Sequence, residues 1–269
     1  MKIAFAPRQW MSGQTARVTA LALLGGLLTG CASVPQAERD PGDRFEAVNR
    51  KVYAFNDSLD AAVLKPASGA YVRAVPEPAR NATGRFFDNL LYLDTILNGF
   101  LQGKVGQGFS DLARFGVNST FGLLGLFDVA TPLGLPRHKE DFGQTLAVWG
   151  AGSGEYLVYP VLGPSGVRDT AGVAVSLLTN PIVYAAPPVA IPLGVLSIID
   201  LRARREGFAQ FRDQAALDPY IFTRESYLQN RTFEIYDGKP PRQRFELFED
   251  VALPADQPAK EEPVQARRV

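Results

Sequence analysis

A thiol, an imidazole and a few serines are the side chains of this 269-residue sequence whose type and spacing could carry covalent chemistry. Cys31 is the single cysteine, and it directly follows Leu28-Thr29-Gly30. Small residues there leave the backbone open to a peptidase, and a thiol just after them is the nucleophile that takes a diacylglyceryl group. Upstream stand Lys2, Arg8 and Arg17 with no acid, then an apolar run from Val18 to Leu28 that is too short to span a bilayer as a mature helix. The order basic, apolar, small, cysteine reads as a lipoprotein signal over residues 1–30, cleavage before Cys31 and lipidation of its sulfur. A start at Met1 or at Met11 yields the same mature chain. Each buried acyl methylene contributes about 0.8 kcal/mol, so two or three chains on one cysteine make a lasting anchor. Ala32, rather than an aspartate, follows the cysteine, which directs the expectation to the outer membrane with the body facing the periplasm.

The remaining candidates for chemistry fall short of known patterns. His138 is the single histidine and lies in Arg137-His138-Lys139-Glu140-Asp141, which reads as an exposed loop with a surface imidazole rather than a base. Ser153 in Gly150-Ala151-Gly152-Ser153-Gly154 and Ser165 in Gly163-Pro164-Ser165-Gly166-Val167 both miss the nucleophile elbow. Glycines 103, 106 and 108 match neither phosphate-loop spacing. One lipidated thiol and one imidazole make no metal cluster, so the expectation is a non-enzyme with no catalytic residue, no metal and no cofactor. Arg168-Asp169 reads as a local ion pair or helix cap, with phosphate binding by Arg168 as the lesser alternative. The 28 basic and 28 acidic residues balance, and the signal takes three of the basic ones, so the mature chain is mildly acidic and offers nothing to nucleic acid.

The elements that must position whatever function remains are helical. Residues 31–41 form a polar tether, 42–237 the body and 238–269 a charged, proline-rich tail that cannot bury enough to order itself. From Phe45, the apolar positions Val48, Val52, Phe55, Leu59 and Val63 recur every three or four residues and predict an amphipathic helix. Pro66, Pro76 and Pro78 punctuate the next stretch. A helix from Pro78 toward Gln102 shares a face through Phe86, Leu90, Leu93, Leu97 and Leu101 and ends at Gly103, and a third spans about 106–119. Between Phe142 and Ile199 only Glu155, Arg168 and Asp169 are charged, so this middle is deeply buried or faces lipid. Its end, from Thr170 to Ile199, is long enough to cross a bilayer. Pro181, Pro187, Pro188 and Pro192 favour two shorter helices with a bent connection in the interfacial layer. After Asp200 comes a charged amphipathic helix with Leu201, Phe208 and Phe211, then a last helix from Pro219 to about Arg231.

Ordered motifs over about residues 40–235 resemble the MlaA (VacJ) family of outer-membrane lipoproteins. They are Asp40-Pro41 with Phe45, Asn49-Arg50 and Tyr53-Ala54-Phe55-Asn56; Pro78-Ala79-Arg80-Asn81; Leu101-Gln102-Gly103; Arg114-Phe115 with Asn118-Ser119-Thr120; Phe127-Asp128-Val129-Ala130; Asp141 to Leu146 with Trp149-Gly150; and Asp218-Pro219-Tyr220 with Arg224-Glu225. The resemblance implies a mostly α fold, a ring-like bundle of amphipathic and interfacial helices around a lipid channel in the outer membrane. It implies that phospholipids astray in the outer leaflet pass through the channel to a soluble periplasmic carrier, MlaC, and that the ring sits against trimeric porins. It also implies gating roles for Phe55 and Asn56 and a flexible channel-mouth loop containing Gly150, Gly152, Gly154 and Tyr156. The residues alone leave other readings open: a core aromatic for Phe55, a helix-surface amide for Asn56, a simple turn for Gly150 to Gly154. A lipoprotein phospholipase and a porin scaffold are the competing functions.

Overall fold

The computed structural model describes residues 43–241. The expected signal over 1–30, Cys31, the tether to residue 41 and the tail beyond 241 lie outside the described residues. The chain forms helices α1 (Glu46–Leu59), α2 (Lys65–Ala74), α3 (Glu77–Leu90), α4 (Tyr92–Leu101), α5 (Val105–Thr120) and α6 (Phe142–Val148). An antiparallel hairpin, β1 (Tyr156–Tyr159) and β2 (Gly163–Gly166), precedes α7 (Val167–Thr179), α8 (Pro187–Arg204), α9 (Glu206–Ala215) and α10 (Pro219–Ile235).

Pro66, expected as punctuation, does not end the first helix. Its ring lacks an N–H and crowds the carbonyl four residues back, which breaks an ordinary α-helix. Here the turn immediately before it is π-helical over Asp60–Leu64, and the Lys65 N–H reaches back five residues to the Asp60 carbonyl. The wider turn makes room, and α1 runs into α2 as one rod. Between Pro78 and Gln102 the expected single helix is two, separated at Leu91. The step leaves Leu91 exposed and turns Tyr92 and Ile96 inward. Gly103 takes a positive φ of 76°, and the Gly103 and Lys104 amides donate to the Phe100 and Gly99 carbonyls, a Schellman closure of α4.

The apolar stretch from Thr170 onward bends as its prolines require. Asn180 caps a short 3-10 turn over Pro181–Tyr184, and Pro187 and Pro188 open α8 in its first turn, where their missing donors cost nothing. Pro192 sits inside α8 without ending it, and the helix continues past Asp200 to Arg204, so the expected boundary near Asp200 falls at Arg205 instead. Among the described residues no helix is long and apolar enough to cross a membrane.

Neighbouring elements close a circuit. α2 lies along α8, α8 against α3, α3 leads into α4, α4 packs on α6, α6 on α7, α7 on β2, and β1 returns to α1. The 3-10 turn links α7 to α8 across this ring, and α10 braces α6 and β2. Burial is inverted relative to a water-soluble domain. Among the described residues the fully buried side chains of greatest volume are Gln144, Asn49, Asn98, Thr145, Asp111 and Asp200. Meanwhile Phe121 is 77% exposed, Leu178 67% and Ile191 65%. A soluble protein of this size turns such residues inward and rarely leaves so many bare, so these faces fit a surrounding that is itself apolar.

Candidate functional site

α1 holds the hairpin through two asparagines. Asn49, 1% exposed, donates to the Tyr156 carbonyl at 3.0 Å and accepts from the Val158 amide at 3.0 Å. Two turns later Asn56 donates to the Tyr159 carbonyl at 2.9 Å and accepts from the Val161 amide at 2.7 Å. A primary amide offers the same donor and acceptor as a peptide group, so each asparagine replaces one rung of a neighbouring strand. The lower clamp matters because Val161 has a positive φ of 69°, an unfavourable conformation for a β-branched residue, and sits at an apolar tip with Leu162.

The residues singled out in the sequence fall into distinct places. Asn56 is a clamp rather than a free surface amide. Phe55, beside it, points outward at 54% exposure and is not a core aromatic. Tyr156 is buried in a cluster with Val158 and Tyr220, its ring 6.3 Å from that of Tyr220 and 5.9 Å from that of Tyr227. Burial raises its phenol pKa. Gly150 and Gly154 both take positive φ, 95° and 66°, and a methyl at Gly154 would stand 2.8 Å from Val167 Cβ, whereas Gly152 faces open space. The structure thus joins Asn56 to the Tyr156 strand and leaves Phe55 and Gly152 free of it.

A buried charge cluster ties α6, α7 and α10 together. Arg231 grips Asp141 through both terminal nitrogens, at 2.5 and 2.7 Å, and reaches Asp169 at 2.9 Å. Arg168 pairs with Asp169 at 3.0 Å, the local ion pair expected there, and the Tyr227 hydroxyl donates to the other Asp169 oxygen at 2.6 Å. Asp141 is also the α6 N-cap, accepting from the Gln144 amide. Burial works against its ionised form, but the Arg231 contacts win and hold its carboxyl below the usual range. Gly143 allows this approach, since a methyl there would lie 2.3 Å from the Arg231 guanidinium.

Two cavities of about 350 and 340 Å³ flank this cluster and share Leu91, Asp141 and Ser176. The first is walled by Val173, Leu177, Pro164 and Gly172, with Arg231 and Asp169 on one side. The second is lined in part by Arg137, His138 and Lys139. Between them, Asp94 accepts from Ser176 at 2.5 Å and from Asn98 at 3.0 Å, and burial pushes its carboxyl up against those bonds. Taken together, the two linings carry both apolar and ionic side chains, as an amphipathic molecule requires.

His138 is not a plain surface histidine. Its Nδ1 lies 2.8 Å from Oδ1 of the fully buried Asp111, which also accepts from the Tyr92 hydroxyl at 2.6 Å, and the Tyr92 oxygen accepts the His138 amide. The polar run around it hides this in the sequence, because the partner carboxylate comes from α5, distant along the chain. Asn49, Asp141 and Arg231 likewise escape sequence reasoning as site-builders, although Asn49 and Asp141 stand within the family motifs.

A closed helical ring with its polar groups inside, its apolar faces bare and an amphipathic cavity in its wall defines a protein of the lipid interface. Similarity to known proteins makes that class specific. The model of the MlaA lipoprotein family matches residues 41–234. The intermembrane phospholipid transport system lipoprotein MlaA of Shigella flexneri is 34% identical over 227 residues, covering 83% of this chain and 90% of the relative, and that of Escherichia coli K12 matches to the same extent. The Haemophilus influenzae protein of the same description is 30% identical over 248 residues, 87% of this chain and 97% of its own. A solved structure reported as the structural basis for maintenance of bacterial outer membrane lipid asymmetry superimposes with a TM-score of 0.63 at 32% identity, covering 73% of this chain and all of that one. The chain belongs to the MlaA lipoprotein family.

Proposed function

We propose that this protein is the outer-membrane component of an intermembrane phospholipid transport system: it takes mislocalised phospholipids from the outer leaflet and passes them to a periplasmic carrier, MlaC, so that lipid asymmetry is kept. The observation that carries this reading is the inverted ring, apolar outside and polar within, with adjoining cavities whose walls suit both acyl chains and a charged headgroup. Cys31 carries the acyl anchor that holds the body at the outer membrane, facing the periplasm. Trimeric porins are the proposed neighbours of the ring. The protein does no covalent chemistry in this reading; it supplies a path, and the partners at either end set the direction of flow. Phe55 and the loop containing Gly150, Gly152 and Gly154 control entry, while Asn56 and Tyr156 fix the hairpin beside it.

The test is outer-leaflet phospholipid in cells lacking the protein, read with a surface-restricted phospholipase. Surface phospholipid should rise and be corrected by the wild type but not by Cys31→Ala. An unchanged surface in the deletion strain would remove the transport reading and favour a porin scaffold. Lysophospholipid released by the purified protein would instead favour a phospholipase.

A further inference from the structure

α8 has two unlike faces. On one, half-buried Leu193 and Leu196 and buried Asp200 share the side that meets α2 and α3, where Asp200 accepts from the Tyr71 hydroxyl at 3.1 Å and pairs with Arg204 at 2.9 Å. On the other, Ile191, Val195, Ile198 and Leu201 recur at helical spacing and are 65, 52, 48 and 39% exposed. From Ile191 to Leu201 this stripe is about 15 Å long at 1.5 Å per residue, the depth of one leaflet of a hydrocarbon core about 30 Å thick. One turn further, on the same face, stands Arg205.

Three arginines crowd this end of α8, and two are fully engaged. Arg202 holds Asp60 at 2.6 and 2.9 Å and Glu206 at 2.5 Å, while Arg204 holds Asp88 at 3.0 Å as well as Asp200. The Arg205 side chain forms no ion pair or hydrogen bond among the described residues. It is reachable by solvent, yet surrounding protein desolvates it and Arg204 repels it, both of which lower its pKa, and no carboxylate offsets them. An exposed guanidinium beside a like charge, with no carboxylate paired to it, is short of an anion.

We infer that Arg205 binds the phosphate of a phospholipid whose acyl chain lies along the stripe from Ile191 to Leu201. The inference rests on the proposed transport function and adds to it a second place, on the exposed face of α8 and apart from the two cavities, where a headgroup is held. A planar guanidinium fork matches two phosphate oxygens and makes charge-assisted hydrogen bonds to them. Because every glycerophospholipid carries that phosphate, Arg205 distinguishes phospholipid from neutral lipid and does not choose among headgroups.

The experiment measures lipid retained by the purified, lipidated full-length protein in detergent, offered phosphatidylglycerol, phosphatidylethanolamine or diacylglycerol of matched chains. Arg205→Gln should retain both phospholipids about tenfold less than wild type, as expected for losing one charge-assisted contact. Arg205→Lys should recover much of the loss, diacylglycerol retention should not change, and Ile198→Asp should reduce all three. Since Arg205 holds no other side chain, Arg205→Gln should melt with the wild type. Equal retention by wild type and Arg205→Gln would overturn the inference, as would an equal loss of diacylglycerol. Displacement of phospholipid by inorganic phosphate alone would reduce the site to an anion site without the stripe. A change confined to nanodisc binding, with retention in detergent intact, would assign Arg205 to bulk leaflet lipid and overturn it. Failure of the wild type itself to retain phospholipid would instead count against the transport reading.

Discussion

Asn49 and Asn56 lie seven residues apart on α1, and each exchanges two hydrogen bonds with the backbone of the same hairpin. The spacing is two helical turns, so both amides leave the same face, and their targets advance along the hairpin from Tyr156 in β1 to Val161 just past its end. A helix here does what a third strand would do, and it does so without a flat exposed edge.

The two clamps should fail differently. Asn49→Ala strands a buried carbonyl and a buried amide, at about 1–3 kcal/mol for each unsatisfied group, and should lower the melting temperature of the whole protein. Asn56→Ala frees groups that water reaches, so the global transition should move little while the Val161 amide exchanges its hydrogen several times faster. Equal effects of the two variants on melting would contradict this division.

Arg231 is the second joint. Replacing it with Met leaves Asp141 and Asp169 without their shared cation in a buried place, and should destabilise by about 3–5 kcal/mol. Arg231→Lys should not rescue, because one ammonium cannot reproduce the paired contacts to Asp141 and still reach Asp169. Gly143→Ala should weaken the same joint from the other side, through the 2.3 Å approach to the guanidinium. Thermal denaturation of the detergent-solubilised protein checks all three, and a wild-type melting curve for Gly143→Ala would argue against the geometry of this cluster.

Acid sensitivity should trace in part to Asp128. Burial opposes its charge, but hydrogen bonds from Thr131 and Arg114 prevail and hold its carboxyl down to about 2. The folded state therefore favours the ionised form, and the stability it gives is whole above about pH 4 and disappears as pH falls toward 2. Allowing for its partial exposure, the contribution is about 1–2 kcal/mol. Asp128→Asn should be less stable at pH 6 and lose less between pH 4 and 2 than the wild type. Parallel pH profiles would remove Asp128 from the account.

Helical periodicity made much of this ring legible. Phe45 to Val63, the segment near 106–119 and the bend at Pro181 to Pro188 follow from spacing and proline chemistry, and the family motifs supplied the closure into a ring. Most features that spacing did not reveal depend on partners far along the chain, and one on a local clash with two outcomes. The π turn before Pro66 answers a local clash that can equally end a helix, and nothing near Pro66 in sequence says which occurs. Tyr156-Leu157-Val158-Tyr159 carries strand-forming types, but a lone hairpin is marginal without support, and that support comes from Asn49 and Asn56 over a hundred residues earlier. The polar run around His138 looks like a wet loop until α5 brings Asp111 against it. Arg231 in a charged helix looks solvated until Asp141 and Asp169 arrive.

A blocked cavity separates conduit from scaffold. Val173 lines the 350 Å³ space on α7 and is half-buried, so Val173→Trp places an indole into an existing void rather than into packed core. Gly152 faces open space outside that cavity, and Gly152→Trp adds the same bulk at the loop. Both variants should fold and reach the membrane. If lipid passes through the cavity, Val173→Trp should leave surface phospholipid as high as in cells without the protein, because an indole in the void occupies the space an acyl chain needs. Gly152→Trp should then show a milder defect or none, since it narrows only the approach. Full complementation by Val173→Trp, with normal protein levels, would place the path elsewhere in the ring. Full complementation by both, with porin association intact, would favour a protein that positions its partners and carries no lipid itself.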